Sequence, residues 1–397
     1  MAVPGPHDTD LAAFHGLPVF HVHNPLAHGV FTKVRTLADA INGKVILYQW
    51  TLADGQVRTV AGKKMQRQHV LRNRGQWVID RDAHRNPRDP RVPHPEDSLT
   101  EVGVLTYLRQ QPDLPLFLLR MHDAFFLGAP PQGGPEEDLL VTEFVQGGEV
   151  FNHVKAGALA LNEDGVRELM WQLVHAVRYL HAHGIAHRDI SLENVLIDRP
   201  EPGCTARLMD FGQAVQTVSA AAVPLRFFRS IGKPYYRGPE CYVPRLPQVD
   251  VIVPADAAPN DVVFTDNIGA DGQPNGYLCE VRLPDDAVPG QQCLAEVWGY
   301  EARPLDVFSL GVCLFILNWR MPPWGQTLRI DRSFNYILAN GIAPVLAHWK
   351  KEPMSAQGMD LLNQMVAANP ARRLSAEECL QHPWFQLFDG RAVPTHP

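Results

Sequence analysis

Gly184-Ile-Ala-His-Arg-Asp-Ile-Ser-Leu-Glu-Asn-Val-Leu-Ile-Asp198, followed shortly by Leu208-Met-Asp-Phe-Gly212, is the stretch on which the reading of this 397-residue chain turns. It holds His187-Arg188-Asp189, then Asn194, then Asp210-Phe211-Gly212, all set among apolar residues. The runs Val195-Leu-Ile197 and Ala206-Arg-Leu-Met209 read as short buried strands that hold the three polar side chains around one point. One carboxylate, Asp189, can orient a hydroxyl and accept its proton, while Asn194 and Asp210 offer hard oxygen ligands of the kind Mg2+ takes. Such a set suits phosphoryl transfer, in which positioning and charge neutralisation carry the catalysis.

The length exceeds one average domain, so two lobes or one domain with large insertions is expected. An apolar content of 45% is ample for a core. A net charge of −7 makes neither nucleic acid nor an anionic membrane an expected partner. Six cysteines, at 204, 241, 279, 293, 313 and 379, show no metal-ligand spacing and no dense framework, so reduced thiols are expected. The N-terminus lacks the basic start and apolar core of a secretory signal. The longest apolar run, Leu310 to Leu317, is too short to span a bilayer. The expectation is a soluble intracellular chain, cytoplasmic or nuclear.

Residues 1–27 carry several Pro, Gly and His without periodicity and read as an extended or poorly ordered extension. From Phe31 the pattern turns strand-like: Val34 to Leu37, Lys44 to Trp50 and Val57 to Lys64, with Ala53-Asp-Gly55 as a hairpin turn. A long segment with seven arginines between Arg67 and Arg91 reads as a solvated basic insertion, a site for phosphate or acidic partners being the sharper option. Glu101 opens an amphipathic pattern with Val102, Leu105 and Leu108. Leu116 to Leu119 and Leu139 to Val145 read as two further strands. A long amphipathic helix is predicted from Asn162 to Ala182. In the Pro- and Asp-rich residues 245–297, Val249 to Val253 and Tyr277 to Leu283 suggest a β-ribbon, with a structureless acidic loop as the competing view.

With these motifs in this order, the chain resembles a eukaryotic protein kinase of the serine/threonine type over about residues 30–388. The resemblance implies a bilobal α+β fold. A mainly β small lobe, 28–145, carries the basic insertion at about 66–95 and one regulatory helix. A mainly α large lobe, 146–388, carries the insertion at about 245–297, and 389–397 form a tail. It also implies transfer of the γ-phosphate of ATP, with Mg2+, to a Ser or Thr hydroxyl of a protein substrate. Asp189 would orient the acceptor, Asn194 and Asp210 would bind metal, and Lys63 would grip the α- and β-phosphates in partnership with Glu101. Lys64 and Glu96 are the alternatives for that pair.

Further residues follow from the same resemblance. Leu37, Ala38, Ala40, Gly43 and Val45 stand where a glycine-rich loop covers the phosphates. Ala61, Thr142, Glu143 and Val145 surround the adenine, the last two through main-chain groups, and Glu149 meets the ribose or a basic substrate side chain. Glu193 is typical of serine/threonine enzymes and, with Glu149, could read an arginine upstream of the acceptor. Residues Ile231 to Glu240 resemble the end of an activation segment, with Thr217, Ser219 and Ser230 as phosphate acceptors that Arg188 could meet. An always-formed, unphosphorylated segment is the alternative. Asp306 would cap the catalytic-loop backbone, and Arg373 would pair with Glu240.

The departures are informative. Two of three loop glycines are Ala38 and Ala40, which restrict φ, and Asp39 adds negative charge. The lysine expected two residues after Asp189 is Ser191, and the hydroxyl residue expected in the docking loop is Lys233. Because those positions face each other in the family, Lys233 is expected to supply the missing ammonium. The rival classes are a pseudokinase that binds partners and transfers nothing, and a small-molecule kinase, which the helical tail and Gly238-Pro-Glu240 disfavour.

Overall fold

The computed structural model describes residues 14–40, 43–71, 97–159, 161–219 and 221–397, and it has two lobes, the smaller mainly β and the larger mainly α. The small lobe is a six-stranded sheet in the order β1-β5-β6-β4-β3-β2. Its strands are β1 (His21–Val22), β2 (Val30–Ala40), β3 (Gly43–Thr51), β4 (Val57–Gln66), β5 (Met121–Gly128) and β6 (Glu137–Glu143). Side chains alternate across a strand. On β4, Val60 packs into an apolar cluster with Ile46, Tyr48 and Phe125, and Gly62 is needed beside it because a Cβ would meet Tyr48 and Leu139 at 2.8 Å. Ala61 and Lys63 are thereby turned to the opposite face, toward the other lobe.

Two single-turn helices, α1 (Pro25–His28) and α2 (Arg67–Val70), flank the sheet. The helix α3 (Ser98–Arg109) starts at Asp97, whose carboxylate accepts the Leu99 N–H at 3.3 Å and caps it. Nearly every residue of α3 is buried, so packing rather than propensity holds it in place.

Two readings need correction. Leu116–Leu119 is not a strand. It is a buried loop whose backbone bonds reach two different partners, Leu208 (Leu119 N–H to Leu208 O, 3.0 Å) and Pro394 (Leu116 N–H to Pro394 O, 2.9 Å). Pro115 precedes it, and the sheet strand, β5, begins only at Met121. Residues 14–28 are not a loose extension: Phe14 is 2% exposed, β1 pairs in parallel with β5, and the His15 ring bonds the Asp97 carboxylate. Residues 1–13 lie outside the described residues, as do residues 72–96 with most of the arginine-rich insertion and Glu96.

The large lobe starts with β7 (Gly148–Glu149) and α4 (Val150–Ala156), followed by α5 (Glu163–Ala182). Asn162 caps α5 by accepting the Gly165 N–H at 3.0 Å, and Glu163 and Asp164 sit in its positively polarised first turn. Short pairs β8 (Ile185–Ala186) with β11 (Val215–Gln216), and β9 (Val195–Ile197) with β10 (Ala206–Leu208), frame the opening stretch, and of these β9 and β10 were predicted. The helix α6 (Ala302–Trp319) is mainly apolar, is buried over most of its length and occupies the centre of the lobe. Among the described residues it alone is long and apolar enough to cross a membrane, and 83% of it is buried inside the fold. Helices α7 (Arg332–Asn340), α8 (Ile342–His348), α9 (Ala356–Met365) and α10 (Ala376–Gln381) complete the lobe.

The second insertion is more than a ribbon. It is a four-stranded antiparallel sheet, β12 (Gln248–Ile252), β13 (Val262–Ile268), β14 (Pro274–Arg282) and β15 (Gln292–Val297), in the order β12-β15-β14-β13. It has its own apolar cluster of Val249, Val251, Val281, Leu283, Ala295 and Val297. Ion pairs tie it to the large lobe, Arg226 to Glu280 and Arg329 bidentate to Asp266 at 2.7 Å.

Candidate active site

The catalytic stretch is held from beneath. Asp306, fully buried on α6, accepts the backbone N–H groups of His187 (2.8 Å) and Arg188 (2.7 Å) and a bond from the His181 ring (2.9 Å). Arg188 and Asp210 adopt φ of 64° and 66°, a left-handed backbone that costs roughly 1–2 kcal/mol per residue without glycine. The Asp306 bonds fix the first of these conformations, so the strain is stored where Asp189 projects. His187 Nδ1 accepts the Asp189 N–H at 3.2 Å, which leaves Nε2–H to donate to Met209 O at 3.0 Å, stapling the loop to β10.

Asn194 converges on Asp189. Its amide Nδ2 donates to the Asp189 carbonyl at 2.7 Å and to Oδ2 of the Asp189 carboxylate at 2.9 Å. The amide nitrogen is thereby committed, and among the described residues Oδ1 receives no donor. Asp210 lies close enough for its charge to act on both Asp189 and Glu101. Burial pushes the Asp189 carboxyl above its usual range; the Lys233 ammonium is the strongest opposing influence and the Asp210 charge adds to the rise. No group of three or more His, Cys, Asp or Glu among the described residues could hold a metal ion alone. Two oxygen ligands on adjacent elements fit an ion that completes its shell with water and phosphate oxygens, as Mg2+ does.

On the small lobe Lys63 Nζ lies 2.6 Å from Glu101 Oε2, both side chains largely buried. Lys64 pairs instead with Glu137 at 2.6 Å. Burial raises the Glu101 pKa, opposed first by Lys63. The helix bearing Glu101 is tied to the large lobe through Asp97, whose N–H donates to the Gly212 carbonyl at 2.8 Å. Asp97 and its partner His15 were not anticipated; an Asp ahead of an apolar helical pattern was the available signal.

In the segment expected to cover phosphate, Ala38 lies opposite Val45 and Ala40 opposite Gly43 on paired strands. Gly43 has a reason of its own to be glycine, because a Cβ there would lie 1.8 Å from the Lys64 carbonyl oxygen. Asp39 is 87% exposed and lies 4.0 Å from Lys44, so it points to solvent. Leu37, Val45 and Ala61 are half-buried. Thr142 lies opposite Ala61 across the β4–β6 ladder.

Glu143 is more constrained than expected. Its N–H donates to Arg120 O at 3.0 Å, and its carboxylate accepts the Arg120 N–H at 2.9 Å and faces Arg207 at 3.3 Å. The C-terminal tail reaches the same place, with the His396 ring bonding Leu118 O at 2.9 Å and lying 3.7 Å from Glu143; the sequence carried no signal for this. Among the described residues the Val145 N–H donates to no protein acceptor.

Glu193 accepts the Tyr236 hydroxyl at 3.1 Å and the Tyr235 hydroxyl at 3.3 Å. Burial raises the Glu149 pKa and the neighbouring Glu193 charge adds to it, so the two carboxylates share one acidic surface. Lys233 Nζ donates to Ser191 Oγ at 2.7 Å and lies 3.6 Å from Asp189 Oδ2.

The segment after Gly212 is held by contacts along its length. Arg188 Nε donates to Gln213 O at 2.9 Å, and its guanidinium lies 5.0 Å from the Phe227 ring centre. Thr217 is buried against Arg303, Ser219 is half-buried, and Ser230 is exposed with its hydroxyl donating to Cys241 O at 2.8 Å. At its end Glu240 and Arg373 form a bidentate pair, at 2.6 and 3.1 Å, with both side chains fully buried.

A two-lobed fold whose cleft sets a Lys–Glu pair against an Asp–Asn–Asp cluster defines the protein-kinase class. Residues 95–251 and 296–385 match the protein kinase domain family, and the unmatched interval corresponds to the inserted sheet. The chain belongs to the protein kinase family. It is 27% identical over 262 residues to the serine/threonine-protein kinase cds1 of Schizosaccharomyces pombe, covering 66% of this chain and 44% of that protein. It is likewise 27% identical to calcium-dependent protein kinase 8 of Oryza sativa (65% and 36%). To the delta subunit of calcium/calmodulin-dependent protein kinase type II of Oryctolagus cuniculus it is 26% identical over 246 residues (62% and 34%). The chain thus spans less than half the length of these relatives.

Proposed function

We propose that the chain is an active serine/threonine protein kinase that transfers the γ-phosphate of MgATP to a protein hydroxyl. The observation that carries this reading is the closed Lys63–Glu101 pair at 2.6 Å in the same cleft as Asp189, Asn194 and Asp210. A scaffold that transfers nothing has no chemical need for all five. Asp189 orients the acceptor hydroxyl and takes its proton. The raised pKa of Asp189 makes it a better proton acceptor once it is ionised. Asn194 Oδ1 and the Asp210 carboxylate would hold Mg2+, which neutralises phosphate charge. Lys63 would meet the nucleotide phosphates, and the unengaged Val145 N–H would meet the adenine edge.

Glu149 and Glu193 provide an acidic surface for a basic side chain upstream of the acceptor. An intracellular location is supported by six cysteines that are all free. A serine- and threonine-centred peptide library, assayed with MgATP and with EDTA, tests both parts. Metal-dependent transfer enriched for upstream Arg or Lys is expected. Transfer without that enrichment removes the basic preference, and its absence with nucleotide still bound favours the pseudokinase reading, to which the glycine-poor hairpin would belong.

A further inference from the structure

We propose that Lys233, on the substrate-docking loop, supplies the ammonium that holds the transferred phosphate, so that an ordered docking loop is itself part of the catalytic charge. This rests on the kinase reading above. Ser191, which occupies the catalytic-loop position, is fully buried and bears no charge. The Lys233 ammonium is close to both Ser191 Oγ and the Asp189 carboxylate, at 2.7 and 3.6 Å. The Asp189 oxygen it approaches, Oδ2, also receives the Asn194 amide at 2.9 Å, so the ammonium borders the polar cluster.

The loop beneath Lys233 is fixed. Gly232 N–H donates to Gln213 Oε1 at 3.0 Å, and the Arg237 guanidinium clasps the Gly232 carbonyl at 2.6 and 2.9 Å. The Lys233 carbonyl accepts the N–H groups of Tyr236 (3.0 Å) and Arg237 (3.2 Å). Gly232 has a φ of 73°, and a Cβ there would lie 3.0 Å from the Arg188 carbonyl, so the two loops approach as closely as glycine permits. An exposed loop lysine would show none of this. The side chain is 32% exposed, and an ammonium has three donors, so one donor remains for a phosphate oxygen in the cleft.

In the transfer step the acceptor oxygen bonds to the γ-phosphorus as the bond to the bridging oxygen breaks and its electron pair leaves with ADP. The hydroxyl proton goes to Asp189. Lys233 keeps its protons throughout and binds a phosphate oxygen. Had the lysine stood at 191, on the loop that Asp306 fixes, it would be present whatever the docking loop did. Carried at 233, the charge is present only when the end of the activation segment is in place.

The test compares Lys233→Ala with wild type for calorimetric affinity toward the magnesium complexes of ADP and of a non-hydrolysable ATP analogue, alongside peptide turnover. Loss of one charge-assisted bond is expected to weaken the analogue by roughly tenfold or more while leaving ADP unchanged. Turnover should fall through kcat rather than the peptide KM. The double variant Ser191→Lys/Lys233→Thr should recover most of the analogue affinity, which a merely structural lysine would not allow. An unchanged analogue-to-ADP ratio in a folded Lys233→Ala protein overturns the proposal. A Lys233-dependent ratio in a wild type that phosphorylates no peptide would instead break the kinase reading alone.

Discussion

The floor and the roof of the cleft are built differently. On the floor the main anchors are buried. Asp306 holds the catalytic-loop backbone, Asn194 holds Asp189, and Arg373 holds Glu240 with both side chains out of solvent. The roof is a two-stranded edge in which β2 is largely exposed, Asp39 reaches into water and the single retained glycine serves strand packing. The groups that orient the acceptor are preorganised, while those that cover phosphate are reduced to backbone and two alanines. On the proposed reading, nucleotide grip would fall on Lys63 and, from the floor, on Lys233.

That contrast can be broken in several places. The largest expected effect is on stability: Arg373→Met strands a buried carboxylate and should cost ~3–5 kcal/mol, read by denaturant unfolding. A cost near zero would mean that the floor is not held by this pair. Lys63→Met should cost less stability than Arg373→Met, because the Glu101 carboxyl that burial already pushes up can take a proton, but it should reduce turnover on the order of a hundredfold, the weight of a charge-assisted contact made in the transition state. If it instead unfolds the protein, the roof is structural and the comparison fails.

A smaller change should follow Ala38→Gly/Ala40→Gly. Restoring φ freedom is expected to tighten MgATP by a few-fold, the worth of about one backbone hydrogen bond. The two substitutions should also cost roughly 1–2 kcal/mol of stability. Unchanged or weaker binding would show that the hairpin does not close on phosphate.

The smallest effect concerns the inserted sheet. Burial pushes Glu280 up to about 7, against the pull of Arg226 and with Glu240 and Glu301 adding to the rise. A carboxyl whose folded pKa exceeds its unfolded value of 4.5 stabilises the fold below that value and loses the contribution as pH rises through about 7. Wild type should therefore lose stability across this window relative to Glu280→Gln, by no more than about 1.4 kcal/mol per pH unit. Parallel pH profiles would contradict that.

Much of the floor was legible because catalysis fixes residue types at fixed spacing. Asp189, Asn194 and Asp210 could be read directly, and the apolar period announced the helix from Asn162 to Ala182. The Lys63–Glu101 pairing came with the kinase resemblance, helix phase placing Glu101 on the inward side. Elsewhere local signals were ambiguous. Leu116–Leu119 has the composition of a strand, but its partners lie on two separate segments, which no local pattern encodes. In the inserted sheet, Val262–Ile268 and Gln292–Val297 mix polar and apolar residues because one face stays in water, so only the two most apolar strands stood out. The docking of residues 14–28 and of His396 depends on distant backbone carbonyls and carboxylates, contacts that leave no periodic trace.

The central claim is that the cleft performs phosphoryl transfer with Asp189 as its base. The most direct measurement is MgATP turnover on a basic serine/threonine peptide by wild type and Asp189→Asn at equal nucleotide occupancy. Removing a general base should lower the rate by roughly a hundredfold to ten-thousandfold while nucleotide affinity persists. Equal rates in the two proteins, or no transfer by a wild type that binds MgATP, would contradict it.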